Sequence, residues 1–283
     1  MNAPIKKIER EIAEWVKNQR NKSRMLEGPM EKIRSALGST DRQPGYLASQ
    51  LECLSTWYMM DGANEILSDD PSGWTKLDLG LKAVFWSKRI LRKKFEEMST
   101  SDRLNWTWTT LNSASQCYGS ALALGRFDLA EWIASNVISG LDDGSFNFEG
   151  LTPFEAFVSL LQSKLDGKQS KAAVAGKAGV YREIVDRWDN ISPDVITRIC
   201  DYHLKCATGP SSDEFSDFEE DPYRIFPIDI LSIYNVRRSI GKDTPTIRHP
   251  LLETNLANPP PSISTFQNEI ANRAIDYAMS VVR

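Results

Sequence analysis

The chain has 283 residues, 41% of them hydrophobic and 25% charged. That is the balance of an ordinary folded protein, long enough for one large domain or two modest lobes. Its net charge of −4 argues against general nucleic-acid binding, because neutralising phosphates needs a basic surface. The charge is uneven. Residues 1–100 carry 17 Lys/Arg against 14 Asp/Glu, residues 101–200 carry 9 against 12, and residues 201–283 carry 8 against 12, so the C-terminal third is the acidic end.

The opening stretch MNAPIKKIEREIAEW has no apolar core behind its basic residues, so a secretory signal is not expected. No window approaches the roughly 18 consecutive apolar residues of a membrane span. The four cysteines, Cys53, Cys117, Cys200 and Cys206, are too sparse for a disulfide framework and suit a reducing cytoplasm.

Helical spacing recurs from the start. Ile5, Ile8, Ile12 and Trp15 share one face of a first helix, and a break is expected at Glu27–Pro29. A loop over Gly38–Gly45 precedes a long helix carrying Leu47, Leu51, Leu54 and Tyr58 on one side. Ser68–Gly73 breaks it, and Leu77, Leu81, Val84, Leu91, Phe95 and Met98 mark the next helix. Lys88, Arg89, Arg92, Lys93 and Lys94 lie in that helix and read as its wet side, since the apolar residues among them keep helical spacing. Ser99–Asp102 supplies cap residues. Leu104, Trp108, Leu111, Ser115, Tyr118 and Leu122 then predict a helix whose Ala114, Gly119, Ala121 and Ala123 would let a neighbour pack close.

Another helix opens after Gly125. Thr152, Pro153 and Glu155 form a capping-box signature, and Ser192-Pro193 repeats the cap-then-proline pattern. Phe226–Gly241 predicts a helix ending at Gly241, and Phe266, Ile270, Tyr277 and Val281 predict one face of a last helix. No sustained period-two alternation with hairpin turns appears. The expected fold is all-α: about nine to eleven helices packed as antiparallel pairs, a helical-repeat-like bundle without a fixed repeat period. One domain over 1–283 is expected, with lobes over 1–140 and 150–283 as its internal division.

The two histidines are His203, between Cys200 and Cys206 in CDYHLKC, and His249, before Pro250. A zinc site wants four ligands from separate turns, and no second Cys/His pair stands near, so His203 reads as part of an ordinary helix. His249 reads as an extended loop residue bonded to backbone. A P-loop, a G-x-S-x-G elbow and an H-E-x-x-H pair are all missing, so neither enzyme chemistry nor a metal or cofactor is expected.

The segment SSDEFSDFEEDPYR (Ser211–Arg224) holds six carboxylates, Asp213, Glu214, Asp217, Glu219, Glu220 and Asp221, with Phe215, Phe218 and Tyr223 among them. One reading is a solvated loop kept soluble by charge. The other is a partner-binding surface, in which carboxylates steer a basic partner in and aromatics anchor it.

Phe226-Pro227, the amphipathic helix with its Arg-rich end, and His249-Pro250-Leu251-Leu252 within Tyr223–Pro261 resemble the C-terminal part of the all-helical bacterial family known as immunity protein 49. Ala121–Ala134 is similar to its central helices. The resemblance implies a non-enzymatic cytoplasmic partner that binds and blocks a cognate antibacterial protein toxin. It brings no shared functional residues, so the binding candidates rest on charge and aromatics alone. The alternative is a helical scaffold or adaptor holding a peptide or protein partner.

Overall fold

The computed structural model describes residues 3–38, 44–103, 107–142, 146, 151–167, 176–209 and 217–282. Among them there is no strand, and ten helices run eleven residues or longer: α1 (Ala3–Lys17), α2 (Gly28–Gly38), α3 (Pro44–Leu67), α4 (Gly73–Glu97), α5 (Leu111–Ala123), α6 (Phe127–Asp142), α7 (Pro153–Asp166), α8 (Pro193–Thr208), α9 (Ile228–Ser239) and α10 (Glu269–Val282). The fold is all-α, as the periodicity predicts. None of these helices is long and apolar enough to cross a membrane.

The chain separates into two compact units, one of residues 9–110 and 260–283, the other of residues 1–8 and 111–259. The division therefore falls after residues 8, 110 and 259, and the expected boundary at 140–150 lies inside a single unit. Local spacing could not reveal this, because α10 joins helices far away in sequence.

In the unit of residues 9–110 and 260–283, α3 and α4 form an antiparallel hairpin, with Gly45 beside Lys94, Ser55 and Met59 beside Gly80, and Gly62 beside Gly73. The turn between them uses Asp69 at φ +64 and Asp70, whose carboxylate accepts the Ser72 amide at 2.9 Å. Lys76 ties the hairpin's turn end by pairing with Asp61 at 2.6 Å and with Glu65. A Cβ on Gly62 would stand 2.6 Å from the Gly73 carbonyl oxygen and 2.9 Å from the Leu77 amide nitrogen, both backbone atoms with little room to move. Glycine-to-alanine inside a helix ordinarily stabilises it. Here Gly62→Ala should lower stability by about 1–3 kcal/mol through overpacking, read from the midpoint of denaturant unfolding.

The expected break at Glu27–Pro29 is absent. Ser23–Glu27 forms a π-helical turn that runs directly into α2. Proline lacks an amide donor and crowds the carbonyl four residues back, and a wider turn accommodates both.

The basic run of α4 departs from its expected wet side. Lys88 is 1% exposed and donates to the Thr109 hydroxyl at 2.9 Å. The Arg89 guanidinium lies 4.9 Å from the Trp86 ring centre, and that of Arg92 lies 5.5 Å from Phe95 and 5.8 Å from Trp108. Only Lys94 of the five is exposed. Long cationic side chains lie along apolar surface and bring their charged heads to a polar partner, so the run works as part of this unit's own packing. Trp108 itself lies outside a helix, which begins only at Leu111, and Leu104 falls outside the described residues.

In the unit of residues 1–8 and 111–259, α5 is central, and every residue from Ala114 to Ala123 is buried. Gly119 brings Phe154 of α7 and Ile228 of α9 against its backbone. Ser232 donates to the Gly119 carbonyl at 3.0 Å, and Asn235 donates to the Leu122 and Ala123 carbonyls at 2.8 and 3.0 Å, capping the C-terminal end of α5 from α9. At α7 both bonds of the predicted capping box form: the Thr152 hydroxyl accepts the Glu155 amide and the Glu155 carboxylate accepts the Thr152 amide.

Candidate functional site: an acidic turn pinned to the helical core

Residues 217–227 link α8 to α9 and carry the described part of the acidic segment. Asp213, Glu214 and Phe215 lie outside the described residues. Glu219 and Glu220 are exposed and Asp221 is half-buried. The other three candidates correct the expectation of an outward contact surface: Asp217 is 2%, Phe218 1% and Tyr223 8% exposed. Each is taken up by the unit's own interior.

Asp217 closes the N-terminus of α7. One carboxylate oxygen accepts the Phe154 amide at 2.9 Å and the Tyr202 hydroxyl at 2.8 Å. An anion there meets the free amides and the positive end of the helix dipole. Burial nonetheless pushes the Asp217 carboxyl above its usual range, against hydrogen bonds from Thr152, Tyr202 and the Phe154 amide, with the Asp229 charge adding to the rise. Burial likewise raises Glu155.

A carboxyl raised in the fold binds its proton more tightly folded than unfolded, so its ionisation opposes folding. Stability from these two groups is therefore fully present at low pH. It is lost as pH rises from the unfolded carboxylate pKa of about 4 through their raised folded values. Thermal melts of wild type and Asp217→Asn across that window should show a shallower decline in the variant.

Phe218 sits at φ +61, a left-handed conformation rare for a bulky side chain. What holds it is ring packing: it stacks on His203 with centres 4.0 Å apart and planes 19° apart, and meets Phe154 at 5.0 Å. Tyr223 buries its ring, and its backbone carbonyl faces the His203 Nε2 at 2.9 Å. Burial pushes the Tyr223 hydroxyl well above its usual range. Arg224 donates from Nε to the Ala207 carbonyl at 3.0 Å, so the turn is bound back to the end of α8.

Beneath the turn lies a buried polar centre. His203 on α8 and Asp229 on α9 are both 0% exposed. The His203 Nδ1 lies 2.9 Å from one Asp229 carboxylate oxygen, and the other accepts the Tyr181 hydroxyl at 2.8 Å. Tyr181 in turn stacks on Phe157 at 4.5 Å. Both imidazole nitrogens face oxygen, a carbonyl that can only accept and a carboxyl group. Neither nitrogen presents a lone pair outward, so CDYHLKC uses His203 for this interior lock. Cys200 is buried and Cys206 half-buried, and the described residues contain no group of three potential ligands arranged for a metal.

His249 behaves as its position before proline predicts. It is 7% exposed, and its Nδ1 accepts the Leu251 amide at 3.2 Å while Nε2 faces Asp201 at 3.2 Å.

The buried centre was missed in the sequence, though a signal stood there. Asp229 is the only charged residue between Ile225 and Ile233, and an acid inside an apolar run has to find a partner. Set against protein-family models, curated proteins and solved structures, the chain matches none.

Proposed function

We propose that the chain is a binding protein that neutralises a cognate protein toxin in the cytoplasm, meeting a basic surface of that toxin with the acidic turn whose outer carboxylates are Glu219 and Glu220. The observation that carries the reading is the pinning of that turn. Two neighbouring carboxylates face solvent while Asp217, Phe218 and Tyr223 fasten the same turn into the helices below. A charged surface held in one conformation loses less entropy on binding than a loose loop. Clustered like charge speeds the encounter with an opposite patch. The toxin as partner comes from the resemblance of Tyr223–Pro261 and Ala121–Ala134 to the immunity family.

Co-expression with a toxin gene adjacent to this one tests the reading. Growth should be rescued by the wild-type chain. Rescue should be weaker with Glu219→Lys and Glu220→Lys combined, a change confined to exposed side chains, at an unchanged unfolding midpoint. A strain that withstands the toxin equally well without this chain would overturn it.

A further inference from the structure

The unit of residues 9–110 and 260–283 is finished by a helix from the far end of the chain. α10 packs against α4, α3 and α2. Its buried side consists of Ala271, Ala274, Ile275 and Ala278, three methyl groups and one larger side chain. The surface beneath is of another kind, with Ile33, Leu47, Leu51, Tyr58 and Ile90 in the same apolar cluster. Ile270, Tyr277, Met279 and Val282 of α10 pack against the same cluster but stay partly buried, so the fully buried contacts of this helix are mostly small.

Two recesses remain at the ends of this helix. One of ≈ 480 Å³ takes in Phe266 and Asn268, ahead of its first turn, together with Trp57 and Met30. The other, of ≈ 490 Å³, takes in Val281 in its last turn together with Tyr46 and Ile90. Tyr46 is one of the two exposed large hydrophobic residues of the described chain, at 43%. At one end Phe266 meets Tyr58 edge-on at 5.8 Å, and at the other Lys93 donates to the Val281 carbonyl at 2.6 Å. The chain reaches α10 through Pro259, Pro260 and Pro261, which bring no amide donors, in a stretch without regular structure.

We propose that α2, α3 and α4 form a helix-accepting groove and that α10 is its exchangeable occupant, leaving and rejoining the groove while the α3–α4 hairpin stays folded. A short amphipathic helix whose large side chains are only partly buried sits at the low end of local stability. Its tether keeps it at high effective concentration, so the closed form dominates and the open form is sampled. The residues that open the groove are those of the chain's own segment 266–282. This inference does not rest on the acidic turn or on a toxin.

Hydrogen exchange on the full chain tests it directly. The amides of α10 should exchange at least about 100-fold faster than those in the middle of α3 and α4. In Ala274→Glu, α10 should lose protection while α3 and α4 keep theirs, and a labelled synthetic peptide of residues 266–282 should then bind the vacated groove. Equal exchange of α10 and the hairpin in wild type would overturn the proposal. So would a parallel collapse of α3 and α4 in the variant, or failure of the peptide to bind once α10 is released.

Discussion

Replacing Asp229 by alanine should destabilise the unit of residues 111–259 by about 2–6 kcal/mol, because it leaves two buried polar groups unpaired at roughly 1–3 kcal/mol each. The carboxylate holds two groups at once, the His203 imidazole and the Tyr181 hydroxyl. Its loss strands both in a site where His203 and Tyr181 are each 0% exposed. Asp229→Leu combined with Tyr181→Phe should be less damaging than Asp229→Ala, because it refills the space and, of the two groups the carboxylate holds, leaves only the His203 Nδ1 unpaired. Chemical denaturation of the single and double variants checks the ordering. If Asp229→Ala unfolds at the wild-type midpoint, the centre is not the lock described here. The acidic turn should loosen with it, since the His203 ring that Asp229 orients also carries the Tyr223 carbonyl and the Phe218 ring.

Phe218→Ala should cost about 3–5 kcal/mol, the range for emptying a buried aromatic site. A second substitution separates packing from backbone strain. Glycine is normally the worse choice outside special conformations, but at φ +61 it relieves strain that alanine keeps. Phe218→Gly should therefore be at least as stable as Phe218→Ala. The reverse order in matched denaturation curves would mean that the left-handed conformation is not held in solution.

Much of the helical framework was legible in the sequence. The capping box at Thr152 and Glu155 forms with both its bonds, and Gly241 adopts φ +73 just past α9. These features depend on neighbours a few residues away, which composition and spacing record.

Side-chain destinations were not legible where a partner comes from far along the chain. Six carboxylates in fourteen residues, Ser211–Arg224, read as surface, yet Asp217 is claimed by a helix terminus at Phe154. Lys88 belongs to a run that reads as wet, yet it is buried and donates to the Thr109 hydroxyl. In the last helix the spacing of Phe266, Ile270, Tyr277 and Val281 predicts one face. The structure buries Ala271, Ala274 and Ala278 with Ile275, because alanine is too weak an apolar signal to stand out. Phe266 lies ahead of that helix altogether.

The site followed the same pattern. Within the segment the fold separates an interior anchor, Asp217, Phe218 and Tyr223, from two exposed carboxylates, Glu219 and Glu220. Burial turned Phe218 and Tyr223 from contact residues into the supports of Glu219 and Glu220.

The central claim is that those two carboxylates guide a basic toxin to this chain. It is tested most directly by the association rate of purified toxin with wild type and with Glu219→Lys/Glu220→Lys, at low and at physiological salt. The account predicts an on-rate at least about tenfold lower in the variant at low salt, with the gap closing as salt rises. Equal on-rates at both salt concentrations would contradict it.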